Sequence, residues 1–148
     1  MTLCQEFWSL ERRFAPVPPV LADKHKVLQI LVNLIRNAKY AVDHCPNPVK
    51  RVIVSILSPT DKRVQIQIQD NGVGIAPEDL NRIFAHGFTT KQDGHGFGLH
   101  SSALAAKEMG GALVVRSEGP GRGASFTLQV PLSPVNNHPK HATSLRSY

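Results

Sequence analysis

Cysteine is scarce in this chain. Two occur among 148 residues, Cys4 and Cys45, with no CxxC pair. Such a pattern argues against a disulfide scaffold or a zinc finger and fits a reducing compartment. Long apolar runs are missing, so no stretch is read as spanning a bilayer, and no signal peptide opens the sequence. The net charge is +6, but the lysines and arginines are scattered, without a basic run interleaved with aromatics. That speaks against a nucleic-acid surface. The seven histidines, among them His44, His86, His95 and His100, match no metal-ligand spacing. No internal repeat is visible. What remains, 41% hydrophobic and 19% charged residues, is the composition of a globular domain with its own core.

Residues 1–20 read as an incomplete beginning, with an edge strand near Leu10–Phe14 ended by the prolines at 16, 18 and 19. Asp23 is the expected cap of a helix. Val27, Ile30, Leu31, Leu34, Ala38, Ala41 and Val42 carry its apolar face to about Asp43. Two alternating strands follow, near 51–57 and 63–70, joined by "SPTDK". Pro77 opens a short helix expected to run through Phe84. Residues 85–98 are glycine-rich and aperiodic. A second long helix is predicted from Leu99 to Met109, stopped by Gly110–Gly111. Strands near 112–117 and 124–130 flank "GPGRG". The polar tail, 133–148, is expected to be disordered. The element order predicts a two-layer α/β sandwich, its mixed, mostly antiparallel sheet covered by helices on one face.

Three stretches carry chemistry. In "VQIQIQDNGVGI" (64–75), valine and isoleucine alternate with glutamine, and Asp70 falls on the apolar side. Two readings compete. Asp70 starts the Asn71–Gly72 turn and bonds nearby amides, or it accepts a hydrogen bond from a buried ligand. Gly72 and Gly74 favour the second, because they clear the strand's mouth for something flat. In "QILVNLIRNAKY" (29–40), Asn33 and Asn37 share one helix face, with Gln29 and Tyr40 nearby. The ordinary reading is a solvated face. The sharper one is a pair of neutral oxygens for a hard cation such as Mg²⁺. In "GHGFGLHSS" (94–102), Gly94, Gly96 and Gly98 run into a helix start, where free amides suit phosphate. The pattern fits neither the dinucleotide fingerprint nor a Walker loop.

Taken together and in this order, the stretches resemble the GHKL superfamily, specifically the catalytic, ATP-binding (Bergerat-type) domain of sensor histidine kinases. "NLIRNA" (33–38) resembles the N box, "DNGVGI" (70–75) the first glycine box, "RIFAHGFTTK" (82–91) the F box and "GHGFGLH" (94–100) the second glycine box. "GGALVVRSEGPGRGASFTLQVP" (110–131) is similar to the closing strands. The resemblance implies a strand and linker at 1–16 and an ATP-binding catalytic domain at 17–132. It implies that Asp70 binds the adenine amino group, that Gly72, Gly74 and Ile75 line the adenine pocket, and that Asn37 holds Mg²⁺ with Asn33 beside the phosphates. Gly94, His95, Gly96, Phe97, Gly98 and Leu99 would wrap the phosphates. Residues 80–97 would form a lid, with Phe84 at its base and Thr89, Thr90 and Lys91 within reach of the nucleotide.

Two positions depart from the family pattern. The basic residue usual three places after the second asparagine is replaced by Tyr40, with Lys39 one earlier, which leaves open whether Lys39, Tyr40 or Lys91 meets phosphate. A family hydroxyl in the last strand falls at Ala124 or Ser125, so Ser125 is the candidate. The implied cofactors are ATP and Mg²⁺. The implied function is donation of the γ-phosphoryl group to a histidine on a separate dimerising helical domain, and through it to a response-regulator receiver in a two-component system. No acceptor histidine with the family's context occurs here, so the chain reads as an excised or stand-alone catalytic domain, monomeric and cytoplasmic, from a parent that is either soluble or anchored in the inner membrane. The alternatives are a serine kinase or ATPase of the same superfamily, which usually carries glutamate where Asn33 stands, and a non-catalytic nucleotide sensor.

Overall fold

The computed structural model describes residues 7–60, 62–85, 98–132 and 143–145. Its main sheet has five strands: β1 (Phe7–Phe14), β3 (Val49–Thr60), β4 (Arg63–Asp70), β5 (Ala112–Arg116) and β6 (Ala124–Pro131), in the order β1-β3-β4-β6-β5. β1 runs parallel to β3 and the other pairs are antiparallel. Helices α1 (Lys24–Asp43) and α3 (Gly98–Glu108) pack on one face, α1 over β3 and β4, α3 over β5 and β6. This is the two-layer sandwich predicted from the element order.

Local chemistry explains the boundaries. Asp23 caps α1 by accepting from the amides of His25 and Lys26. The α1 stripe of Val27, Ile30, Leu34, Ala38 and Val42 is buried. It meets Val64, Ile68, Phe126, Leu128 and Val130 in one core. The other end of α1 is held by Lys50, which is 2% exposed and whose Nζ donates to the carbonyl of Val42 at 2.8 Å. A cation on the last carbonyls of a helix satisfies orphan acceptors and suits the dipole. α3 stops where Gly110 takes a positive φ of 75°. A Cβ on Gly111 would lie 2.0 Å from the Gln129 carbonyl oxygen, so close packing onto β6 requires glycine there.

Several boundaries differ from expectation: β1 starts three residues earlier, at Phe7, and β3 runs from Val49 to Thr60. The helix opened by Pro77 is α2 (Pro77–Leu80) and does not reach Phe84. Beyond it the amides of Arg82 and Ala85 bond carbonyls three residues back, which makes tight turns instead of α-helix. In the tail expected to be disordered, β7 (Thr143–Leu145) pairs antiparallel with β2 (Val20–Ala22). The short β2 offers backbone groups that the main sheet does not use, and the tail's backbone meets them.

Candidate nucleotide site

The site begins at the end of β4. Asp70 stands in register between Val52 of β3 and Ala124 of β6, on the face that carries Ile68 and Phe126. It is 6% exposed. Burial pushes its pKa up to about 6, against the pull of the Gly72 and Ala124 amides. The Gly72 amide donates to Oδ1 at 2.8 Å. So the turn-capping role weighed from sequence is present, but it leaves the carboxylate without a cation to offset its burial among the influences on it. The Asn71 side chain extends the sheet, accepting from the Arg51 amide at 2.8 Å and donating to the Val49 carbonyl at 2.7 Å.

The glycines after Asp70 have a reason the sequence reading did not see. A Cβ on Gly72 would lie 2.3 Å from the backbone of Ala41, and one on Gly74 would lie 2.1 Å from the Gly119 carbonyl oxygen. What approaches these positions is the protein's own backbone: α1 on one side, the β5–β6 loop on the other. Gly74 also has φ 71°, which disfavours a side chain. Ser117 fixes this loop. Its hydroxyl donates to the Gly123 carbonyl at 2.7 Å and accepts from the Ile75 amide at 3.0 Å. No motif marked Ser117 in the sequence, because one serine after a strand has no periodic signature.

Beside this junction opens a cleft of about 310 Å³ bordered by Tyr40, His44, Gly74, Ile75, Asp79 and Ile83, with Val73 and Ala76. Tyr40, Gly74 and Ile75 were expected there and His44, Asp79 and Ile83 were not, while Asp70, Gly72, Asn33 and Asn37 do not border it. The Tyr40 and His44 rings stack with centroids 3.8 Å apart. Lys39 is elsewhere, exposed and paired with Asp43 at 2.6 Å. Helical spacing turns it away from the polar flank that Tyr40 shares with Asn33. Ser125 is likewise not brought to the cleft. It is paired with Gln69, and strand alternation puts it on the sheet face opposite Asp70. The contact on Asp70 comes from the Ala124 backbone instead.

The asparagine flank meets the start of α3. Asn33 Nδ2 donates to Ser102 Oγ at 3.1 Å and lies 3.4 Å from the Gly98 carbonyl oxygen. The amide nitrogen is thus committed to α3, which leaves Oδ1 as the acceptor. Asn37 is half-buried on the same flank. His100 Nδ1 donates to the Phe84 carbonyl at 3.0 Å, and Phe84 packs edge-on against Phe126. The N box, the F box and the second glycine box are thereby tied into one wall. His86, Phe88, Thr89, Thr90, Lys91, Gly94, His95, Gly96 and Phe97 lie outside the described residues. Among the described residues no group of three His, Cys, Asp or Glu side chains could hold a metal ion, and no helix is long and apolar enough to cross a membrane.

Residues 22–134 match the model of the histidine kinase-, DNA gyrase B-, and HSP90-like ATPase family. The chain belongs to this family. It is 34% identical over 124 residues to the sensor histidine kinase ZraS of Escherichia coli (strain K12), covering 84% of this chain and 25% of ZraS. Full-length ShkA, solved in complex with AMPPNP, matches at 31% identity with a TM-score of 0.70, covering 85% of this chain and 26% of that one. The catalytic domain of the histidine kinase ThkA shares the fold, with a TM-score of 0.73 at 23% identity, covering 86% and 82% of the two chains. The chain thus spans about a quarter of the length of the curated relatives it matches. The family membership accounts for the order of boxes, and the geometry above gives their physical content.

Proposed function

We propose that the chain binds Mg·ATP in the cleft beside α1 and that its γ-phosphoryl group passes to a histidine on a separate helical phosphoacceptor domain. The observation that carries this reading is Asp70, a carboxylate set into the apolar face with no offsetting cation. The Gly72 and Ala124 amides offset only part of the cost of burying it, and an exocyclic amino group of a purine can donate a further bond to it. Ile75, Ile83 and the Tyr40 ring supply flat apolar surface in the neighbouring cleft, as small-molecule pockets do.

Mg²⁺ suits the donor set, since Asn37 offers a neutral amide oxygen and phosphates supply the remaining charge. When bound, the ion neutralises charge that develops on the phosphates. The residues of the chain itself bind and orient. Asp70 anchors the base, Asn37 positions the phosphate end, and Asn33 braces the α3 start, whose free amides favour phosphate. Asn33 has no basic group to deprotonate water or a hydroxyl. An imidazole acceptor needs little deprotonation, which is why histidine is the acceptor proposed. This reading puts the domain in the cytoplasm, where ATP is, with a response-regulator receiver downstream.

The experiment supplies the cognate helical acceptor domain in trans with labelled ATP. The expected product is an acid-labile, base-stable phosphohistidine, while the chain alone hydrolyses ATP far below about 1 s⁻¹. An acid-stable phosphoserine on the partner, or rapid hydrolysis by the chain alone, overturns the proposal.

A further inference from the structure

The exposed large apolar side chains are not spread evenly. Of the ten among the described residues, six gather in one place: Trp8, Leu10 and Phe14 of β1, and Leu28, Val32 and Ile35 of α1, all between 43 and 55% exposed. Trp8, Leu10 and Phe14 are in register with Lys50, Val52 and Ile56, so they lie on the face of the sheet that carries the helices. Leu28, Val32 and Ile35 recur at i, i+4 and i+7, which makes them one stripe. The α1 flank with Lys26 and Asn33 faces α3, through the Lys26–Glu108 pair and the Asn33–Ser102 bond. The apolar stripe therefore lies across the buried face from α3, on the side of β3 and β1.

The two apolar rows run side by side. β3 follows α1 in the chain and returns antiparallel to it, and β1 is parallel to β3. Trp8 is in register with Lys50, whose Nζ reaches the Val42 carbonyl, so Trp8 marks the C-terminal end of α1, where Lys39 bonds the Asp43 carboxylate. From there Leu28 is roughly 20 Å along the helix and Phe14 roughly 20 Å along the strand. Together they form a trough with β1 as floor and α1 as wall. Its origin is geometric. Packed helices sit about 8–10 Å apart and strands about 4.8 Å, so one helix covers two strands. Two helices cover four of the five strands, and β1 is left over.

We propose that this trough docks an amphipathic helix of a partner protein, with acidic residues flanking its apolar stripe. A helix is the element that completes the layer. The acidic flank follows from charge complementarity. Arg12 lies on the trough side of β1, in register with Val54, Arg36 is exposed just beyond the α1 stripe, and the nearby acid, Asp43, is already paired with Lys39. Patches of this kind on a domain mark interaction sites. The site is separate from the nucleotide cleft, on the opposite flank of α1, and does not depend on the nucleotide reading.

The test uses the 148-residue chain, whose single tryptophan is Trp8, as its own reporter. The probe is a Leu/Ala helical peptide of roughly 16 residues, long enough to hold a helix, flanked by Glu, with a Lys-flanked counterpart. The Glu peptide is expected to shift Trp8 emission to the blue and saturate, and the Lys peptide to bind about tenfold more weakly. Val32→Asp should weaken the Glu peptide about tenfold while ATP binding by calorimetry is unchanged. A chain carrying Arg12→Glu and Arg36→Glu should prefer the Lys peptide. No emission change with either peptide overturns the proposal. So does a concentration-dependent shift of the chain alone with dimers in sedimentation, which would make the trough an interface between copies.

Discussion

Helix α1 has two unlike flanks beside its buried stripe. One carries Asn33, Asn37 and Tyr40, amide and phenol groups half-buried against α3 and the cleft. The other carries Leu28, Val32 and Ile35, exposed and facing the uncovered strand. An ordinary amphipathic helix has neither feature, because its outer face is charged and its inner face apolar. The proposed nucleotide site uses the first flank and the proposed docking trough the second. The comparison predicts that the two flanks separate on substitution: changes at the first affect nucleotide chemistry, and changes at the second leave it alone.

The largest effect belongs to Asn37. Asn37→Ala is expected to lower phosphotransfer to the acceptor domain by about a hundredfold or more, as loss of a residue that places a metal does, with far-UV circular dichroism unchanged. Retained transfer would remove Asn37 from the metal site and blur the distinction between the flanks. Next is Asp70→Ala, which removes a charge-assisted hydrogen bond and should weaken ATP by roughly tenfold to a hundredfold in calorimetry. Unchanged affinity would leave the carboxylate with only its bonds to the Gly72 and Ala124 amides.

Asp70 also sets a pH dependence of opposite sign for folding and for binding. Its folded pKa, about 6, lies above its ordinary 3.8. Its contribution to stability is therefore fully present below pH 3.8 and is lost as pH rises through about 6. Considered through this group alone, the nucleotide-free chain gains stability as pH falls from 6 towards 4. Nucleotide binding favours the ionised form, so ATP affinity should fall by up to about tenfold between pH 7 and pH 5. Asp70→Asn should flatten both profiles. Parallel melting and calorimetry series check the signs, and profiles of the same sign would show that the base does not meet this carboxylate.

The legibility of these features in the sequence followed their range. Periodicity is local, so α1, β4 and β6, with the core residues on them, could be read directly, and the oddity of Asp70 was visible from alternation alone. Contacts that close only in three dimensions were hidden. Gly72 was read as clearing space for a ligand, when the backbone of Ala41 occupies that space. Lys50 carried no signal, because nothing local says that its ammonium reaches the end of α1. Ser102 and Ser117 have the same character, as single hydroxyls whose partners are far away in sequence. Ser125 failed for a simpler reason: the family position was uncertain by one residue, and in a strand one residue is the difference between two faces. The trough was missed because sequence shows which positions are apolar but not whether a layer of helices reaches the last strand.

The smallest expected effect gives the sharpest test of the comparison. Val32 is 46% exposed and does not border the cleft. Replacing it by aspartate buries no charge and leaves no cavity, so the chain's stability should change by no more than about 0.5 kcal/mol. Aspartate is a poorer helix former than valine by only a few tenths of a kcal/mol at most, and the substitution adds an acid on the exposed surface of α1. Asn37, on the other flank of the same helix, should therefore behave as the mirror case: function lost and fold kept, where Val32→Asp keeps both fold and ATP affinity and loses the helical peptide. A thermal melt and one ATP titration on each variant are enough. If Val32→Asp unfolds the chain, the stripe is part of the core, and α1 has one functional flank instead of two.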